Sequence, residues 1–189
     1  MKRKLILASN SPRRKEFLTA YGFDFEVVAS SFEEKSLKLS PEQTVLLNAE
    51  GKAKDVFDKV CSQNAVVLGA DTVVELDGEI LGKPKDKLHA RQMLQSLSGK
   101  THSVWTGYCI ISKDEKVLCA EQTEVTFNAL TNELIDEYIS TGKPLDKAGA
   151  YGIQDGFDLV KSFGGSFNNV VGLPIEVFEK KLREILTKK

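Results

Sequence analysis

The stretch Ala65-Val66-Val67-Leu68-Gly69-Ala70-Asp71-Thr72-Val73-Val74-Glu75-Leu76, followed by Asp77-Gly78, decides the class of fold. An apolar, β-branched run of this length reads as a buried strand. Asp-Gly after it is a strong short-range hairpin signal, so Glu79 to Leu81 is predicted to return beside it. One residue interrupts the pattern. A carboxylate at Asp71, in so apolar a strand, is costly unless it is paired or bound to a metal. Gly69 and Ala70 leave room for a ligand beside it; the plainer alternative is a structural aspartate that takes hydrogen bonds from a neighbouring loop.

Upstream, Leu5 to Ala8 reads as a short buried strand. Ser11-Pro12 places an N-cap before proline at the first helical position, and a helix is predicted to about Tyr21 with Gly22 ending it. Phe25 to Val28 is a second strand, and Ser31 to Leu39 a polar, charged loop. Ser40-Pro41-Glu42-Gln43 has the pattern of a capping box and opens a helix to about Val60. Downstream, Asp86 to Leu97 has helical spacing through Leu88, Met93, Leu94 and Leu97. His102 to Ile111 and Lys116 to Phe127 are long strands around a charged turn. Thr131 caps a helix to Ile139, and Gly142 to Gln154 is a glycine-rich connection. Phe157 to Phe163 and Asn168 to Val171 are predicted to form a hairpin, and Ile175 to Leu186 an amphipathic helix. The pattern is α/β, with no internal repeat and no evident linker.

The 189 residues fit one α/β domain, or two small intimate lobes, better than two independent domains. Basic and acidic residues nearly cancel to a formal net charge of -1, so no global field holds a long nucleic acid, and any polyanion must be met locally. Cys61, Cys109 and Cys119 form no CxxC pair, which speaks against a zinc ribbon or a disulfide framework and for a reducing, cytoplasmic setting. No segment has the length of a signal-peptide core or of an apolar membrane span, so the expectation is a soluble protein that binds no membrane.

Three charged positions break local rules. Arg13 and Arg14 stand at the second and third positions of the first predicted helix, where the macrodipole disfavours cations by about 0.3–1 kcal/mol each. A bound polyphosphate offsets this, since free backbone donors and two guanidinium forks then face one anion; a solvated basic helix end is the alternative. Ser9, Asn10 and Ser11 add short polar groups in the preceding turn. Lys52 falls on the inward line Val45, Ala49, Lys52, Val56 of the second helix, where it either snorkels to water or points at phosphate. Glu34, in the loop after the second strand, and Lys83, in Gly82-Lys83-Pro84, are bland singly. Together the set has the parts that cleavage of a triphosphate requires: cations for the anhydride, carboxylates for a hard metal and a base for water.

Other chemistries are set aside. Gly99-Lys100-Thr101 ends like a P-loop, but Leu94 stands where the leading glycine belongs. Gly164-Gly165-Ser166 lacks the next glycine of a nucleophile elbow, with Asn168 in its place. His89 and His102 are too far apart for a local metal motif and read as surface or packing residues.

Taken in order, several motifs resemble the Maf family of nucleotide pyrophosphatases. They are Leu7-Ala8-Ser9-Asn10-Ser11-Pro12-Arg13-Arg14, Gly69-Ala70-Asp71-Thr72, Gly82-Lys83-Pro84, Leu97-Ser98-Gly99-Lys100-Thr101-His102, Asp146 to Gln154, and Val171-Gly172-Leu173-Pro174. The resemblance spans nearly the whole chain and identifies residues 1–189 as a single domain of this family. It implies a mixed, curved sheet with flanking helices, two lobes around a deep cleft, similar to the inosine triphosphate pyrophosphatase fold, and commonly a homodimer. It implies cleavage between the α and β phosphates with Mg or Mn. Asp71 becomes the acceptor of the water proton, with Glu34 beside it near the metal. Ser9, Arg13, Arg14, Lys52 and Lys83 bind phosphates, while Arg13, Thr72 and Gln154 match positions linked to substrate choice. The segment Tyr151-Gly152-Ile153-Gln154 resembles the subgroup that prefers dTTP and UTP, and the Gln154 amide offers both a donor and an acceptor to a pyrimidine edge. Family members are also associated with removal of noncanonical nucleotides and with arrest of cell division. A nucleotide-binding regulator of septum formation, acting through a protein partner, is therefore the competing reading.

Overall fold

The computed structural model describes residues 3–35 and 39–188, so Ser36, Leu37 and Lys38 of the predicted polar loop lie outside the described residues. Lys4–Leu7 forms strand β1, Pro12–Ala20 helix α1 and Phe25–Val27 strand β2. Helix α2 spans Pro41–Val60 and opens with the complete capping box: Ser40 Oγ accepts from Gln43 N, and Gln43 Oε1 accepts from Ser40 N. Strand β3 is Ala65–Leu76 and returns as β4, Glu79–Leu81; Asp77 and Gly78 take φ 53° and 87°, the positive values that a two-residue hairpin turn demands. Helix α3, Lys87–Leu97, is capped by Asp86. Strands β5, Thr101–Ile111, and β6, Lys116–Phe127, follow, and helix α4, Asn132–Ser140, is capped by Thr131. Two short 3-10 turns, Lys143–Asp146 and Ala148–Ala150, occupy the predicted glycine-rich connection. Strand β7, Val160–Gly164, the five-residue helix α5, Phe167–Val171, and helix α6, Ile175–Thr187, complete the chain.

The strands form one mixed sheet in the order β2-β1-β3-β5-β6-β7, with β4 on β3. β1 pairs parallel with both β2 and β3, whereas β3–β4 and β6–β7 are antiparallel. The α/β class read from the sequence is therefore the observed one. No described helix is long and apolar enough to cross a membrane.

Contacts divide the chain into two compact units: Met1–Asp71 with Thr106–Glu121 and Gly172–Lys189, and Thr72–Trp105 with Gln122–Val171. In the first unit the two-residue period of the strands sorts side chains onto two faces. Leu5, Leu7, Val66, Leu68, Tyr108 and Ile110 pack with Leu18 of α1 and with Ile175, Phe178, Leu182 and Ile185 of α6. Those four α6 residues lie three and four apart, so one helical stripe is buried, at roughly 1.5–3 kcal/mol for each large side chain. The alternate residues Ile6, Ala8, Ala65, Val67 and Cys109 pack with Ala49, Ala53 and Val56 of α2. Gly69 lies on this second face, where a Cβ would stand 2.4 Å from Ala49 O and 2.7 Å from Ala53 N, so only glycine lets α2 settle there. The second unit has its own core, built from α3 (Met93, Leu94, Leu97), α4 (Ile135, Tyr138) and the inward strand residues Val104, Val125 and Phe127.

Three local expectations are corrected. Asn168 to Val171 is not a strand: β7 pairs with β6, and the following residues turn into α5. The reason is polar. Ser166 Oγ accepts from Asn169 N, and the buried Asn169 amide donates to Val104 O and to Thr123 Oγ1, so a side chain takes the sheet bonds that a strand there would need. Leu88 is not an inward residue of α3 but 65% exposed, with Ala90 buried in that turn. Ser11 holds the N-cap position of α1, but its side chain makes no cap bond; Ser9 Oγ instead accepts from Ser11 N.

Candidate active site

The same alternation that puts Val67 and Gly69 toward α2 puts Asp71 there too. It is buried at the end of the first unit's share of β3, and both of its oxygens are engaged from α2. Lys52 Nζ donates to Oδ1 at 2.7 Å and Asn48 Nδ2 to Oδ2 at 2.9 Å. Lys52, at 12% side-chain exposure, does not snorkel away; it also donates to Glu34 Oε1 at 2.6 Å. The inward lysine, the strand aspartate and the loop glutamate singled out in the sequence therefore meet at one ammonium.

The loop that carries Glu34 is tied to α2. Asp55 Oδ2 accepts from Ser30 Oγ at 2.7 Å, Ser31 N at 2.8 Å and Lys59 Nζ at 2.8 Å. Lys59, with Ser30 and the Ser31 amide, holds the Asp55 carboxyl below the ordinary carboxylate range. The Phe32 ring lies where a side chain at position 51 would stand, 2.3 Å from the site of a Cβ, and glycine at that position admits it. Lys35 N donates to Asn48 Oδ1 at 3.0 Å. Asn48 and Asp55 were not singled out in the sequence. Asn48 could have been, because it extends the inward line of α2 three residues after Val45 and four before Lys52.

The basic helix start has a physical account. Arg14 Nε donates to Gly172 O at 2.9 Å and its Nη1 to Ser9 Oγ at 3.1 Å. Burial, and to a smaller degree Arg13, pull the Arg14 pKa down to about 10, while Asp71 and Glu34 act against that loss. Two cations and two acids thus share one field, and the Arg14 guanidinium stands against the turn at Ser9, where an anion would add favourable charge. Ser9, Arg13, Arg14, Glu34, Lys52 and Asp71 all belong to the first unit.

Thr72, Lys83 and Gln154 belong to the second unit. Thr72 is half-buried and follows Asp71 on β3, while Lys83 and Gln154 are exposed. The turn bearing Gln154 is held on both sides. Tyr138 Oη accepts from Gly152 N at 3.0 Å and donates to Asp155 Oδ2 at 2.5 Å, and the buried Lys147 Nζ lies 3.4 Å from the same oxygen. Burial, then the Asp155 carboxylate, push the Tyr138 hydroxyl above its ordinary range.

Glu34 Oε1 and Asp71 Oδ1, from the two acids that would hold a metal ion, converge on the Lys52 ammonium. Among the described residues no group of three or more His, Cys, Asp or Glu side chains is arranged to hold one. Two carboxylates fit magnesium or manganese, which are bound through one or two carboxylates together with substrate phosphates, rather than a cation caged wholly by protein. A carboxylate has about four lone-pair sites, so Asp71 keeps capacity for a metal or a water beyond its two observed bonds.

A sequence profile of the family described as Maf-like protein matches residues 4–185. A relative from Bacillus pumilus named dTTP/UTP pyrophosphatase is 53% identical over 174 residues, covering 91% of this chain and 91% of the relative. One of the same name from Bacillus anthracis is 48% identical over 184 residues, covering 96% of this chain and 95% of the relative. A solved structure from Mycobacterium abscessus, named nucleoside-triphosphatase / dITP/XTP pyrophosphatase, is similar over 67% of this chain and 75% of its own, with 14% identity and a TM-score of 0.44.

Proposed function

The chain belongs to the Maf-like protein family, and from that premise we propose that it hydrolyses dTTP and UTP to the nucleoside monophosphate and pyrophosphate. The observation that carries this reading is the convergence of Glu34 and Asp71 on one cation, with Arg14 half-buried in their field. The choice of dTTP and UTP rests on the names of relatives that share about half of its residues over more than nine-tenths of their length.

In this reading Arg13, Arg14, Lys52, Lys83 and Ser9 grip the phosphates. Asp71 orients a water and accepts its proton as oxygen attacks phosphorus, the anhydride bond between the α and β phosphates breaks, and pyrophosphate leaves. Lys52 aims Asp71 through one carboxylate oxygen, and Asn48 occupies the other. Glu34 and Asp71 would hold magnesium or manganese, which when bound neutralises phosphate charge and polarises the attacked phosphoryl group. Thr72, Arg13 and Gln154 select the base, with the Gln154 amide facing a pyrimidine edge. Modified pyrimidine nucleotides that keep this edge are substrates as well. The enzyme works in the cytoplasm, in keeping with three unpaired cysteines, and as a homodimer, in keeping with its family resemblance.

The test is a nucleotide panel with product identification. dTTP and UTP should release pyrophosphate rather than orthophosphate, a chelator should stop the reaction, and magnesium or manganese should restore it. Asp71→Asn should lower turnover by about 10²–10⁴-fold, the usual span of a lost general base. An Asp71→Asn enzyme with unchanged turnover would refute the assignment.

A further inference from the structure

Asn48 uses both ends of one amide, and only one orientation of it is chemically allowed. The Asp71 carboxylate accepts and cannot donate, so the amide nitrogen must face it. The Lys35 backbone N–H donates and cannot accept, so the amide oxygen must face that. The side chain is 3% exposed, so water does not replace either partner freely. Lys35 adjoins Glu34, and Glu34 shares the Lys52 ammonium with Asp71. One buried amide therefore joins the strand that carries one acid to the loop that carries the other.

The rest of the loop follows the same helix face. Asn48, Gly51 and Asp55 lie three and four residues apart, so they line one side of α2. Asp55 fixes Ser30 and Ser31, the space at Gly51 admits the Phe32 ring, and Asn48 holds Lys35. The Glu34 loop is thereby laid along α2 at three successive levels, of which only the Asn48 level also touches Asp71.

We propose that Asn48 is a positioning residue of the hydrolytic reaction, setting the Asp71 carboxylate and the Glu34 loop in one fixed relation. The proposal rests on the reading of Asp71 as the water-activating acid. Asn48 touches no reacting atom and acts through its two partners, so its loss should lower kcat while leaving KM for dTTP nearly unchanged.

Two variants separate its roles. Asn48→Ser removes both direct bonds without adding a charge. It should lower kcat about 10- to 100-fold, as loss of supporting contacts around a metal site commonly does, and should speed hydrogen exchange at the Lys35 amide. Asn48→Asp keeps an acceptor for Lys35 but replaces the donor to Asp71 with an oxygen. It should lower kcat at least as far while Lys35 stays protected. If either variant lowers the unfolding temperature yet keeps wild-type kcat, Asn48 is merely structural and the proposal falls. A fall in kcat for Asn48→Ser with Lys35 exchange unaltered overturns the coupling to the loop. Asp71→Asn is measured alongside: should it remain fully active, both this proposal and the base assignment fail. Should it be inactive while the Asn48 variants turn over normally, only this proposal does.

Discussion

His102 provides a pH-dependent stability that can be worked out from its surroundings. The ring is 3% exposed and lies edge-on to Phe127 and Tyr151, with centroids 5.0 Å and 5.4 Å away. Nε2 meets Tyr151 Oη at 2.7 Å, while the buried Nδ1 has no hydrogen-bond partner among the described residues. In either tautomer the neutral ring carries one N–H; protonation adds a second, and no described group accepts from Nδ1. Burial accordingly depresses the His102 pKa from 6.5 to about 4. In the unfolded chain the imidazole binds its proton near pH 6.5, so between that pH and about 4 the unfolded state takes up more protons than the native one. The contribution is whole above pH 6.5 and is lost as pH falls toward 4. At about 1.4 kcal/mol per pKa unit, the difference amounts to about 3 kcal/mol. Urea unfolding of the wild type and of His102→Gln, whose amide nitrogen can stand where Nε2 does, should be compared from pH 7.5 to 4. The wild type should lose about 3 kcal/mol more than the variant across that window, since every other titrating group is common to both. Parallel curves would show that His102 is not held neutral by its burial, and the account would fail.

Three further substitutions address the fold and the site. Gly69→Ala drives a methyl against backbone atoms of Ala49 and Ala53, which cannot swing aside, and should destabilise the protein by about 1–3 kcal/mol or more. Gly82→Ala, where an added Cβ meets nothing within 4 Å, should leave the denaturation midpoint nearly unmoved, and equal midpoints for the two would contradict the close approach of α2. Lys52→Met leaves Glu34 and Asp71 facing each other without their shared cation and should lower steady-state turnover of dTTP by about 10²–10³-fold, comparable to loss of a preorganised donor. Wild-type turnover in that variant would remove Lys52 from the reaction.

The features legible in the sequence are those whose cause lies within a few residues. Ser40 and Gln43 satisfy each other's backbone donors, Asp77-Gly78 supplies the positive φ of its turn, and Asp86 and Thr131 cap the helices that follow them. Asp71 could be singled out because a carboxylate in an apolar strand is an anomaly at any tertiary placement. What one element does to another could not be found this way. The apolar residues around Asn168 and Val171 suggested a strand, but Asn169 spends its amide on Val104 and Thr123, partners 65 and 46 positions away. Lys52 left open a choice between water and a cleft. It was decided by the register of β3 against α2, which brings Asp71 under the helix, and by three ties that lay the Glu34 loop beside it. Local geometry is set by short-range sterics and hydrogen bonds that the sequence alone determines. The meeting of Asn48, Lys52, Glu34 and Asp71 depends on close packing across a glycine face, and only the tertiary structure decides that.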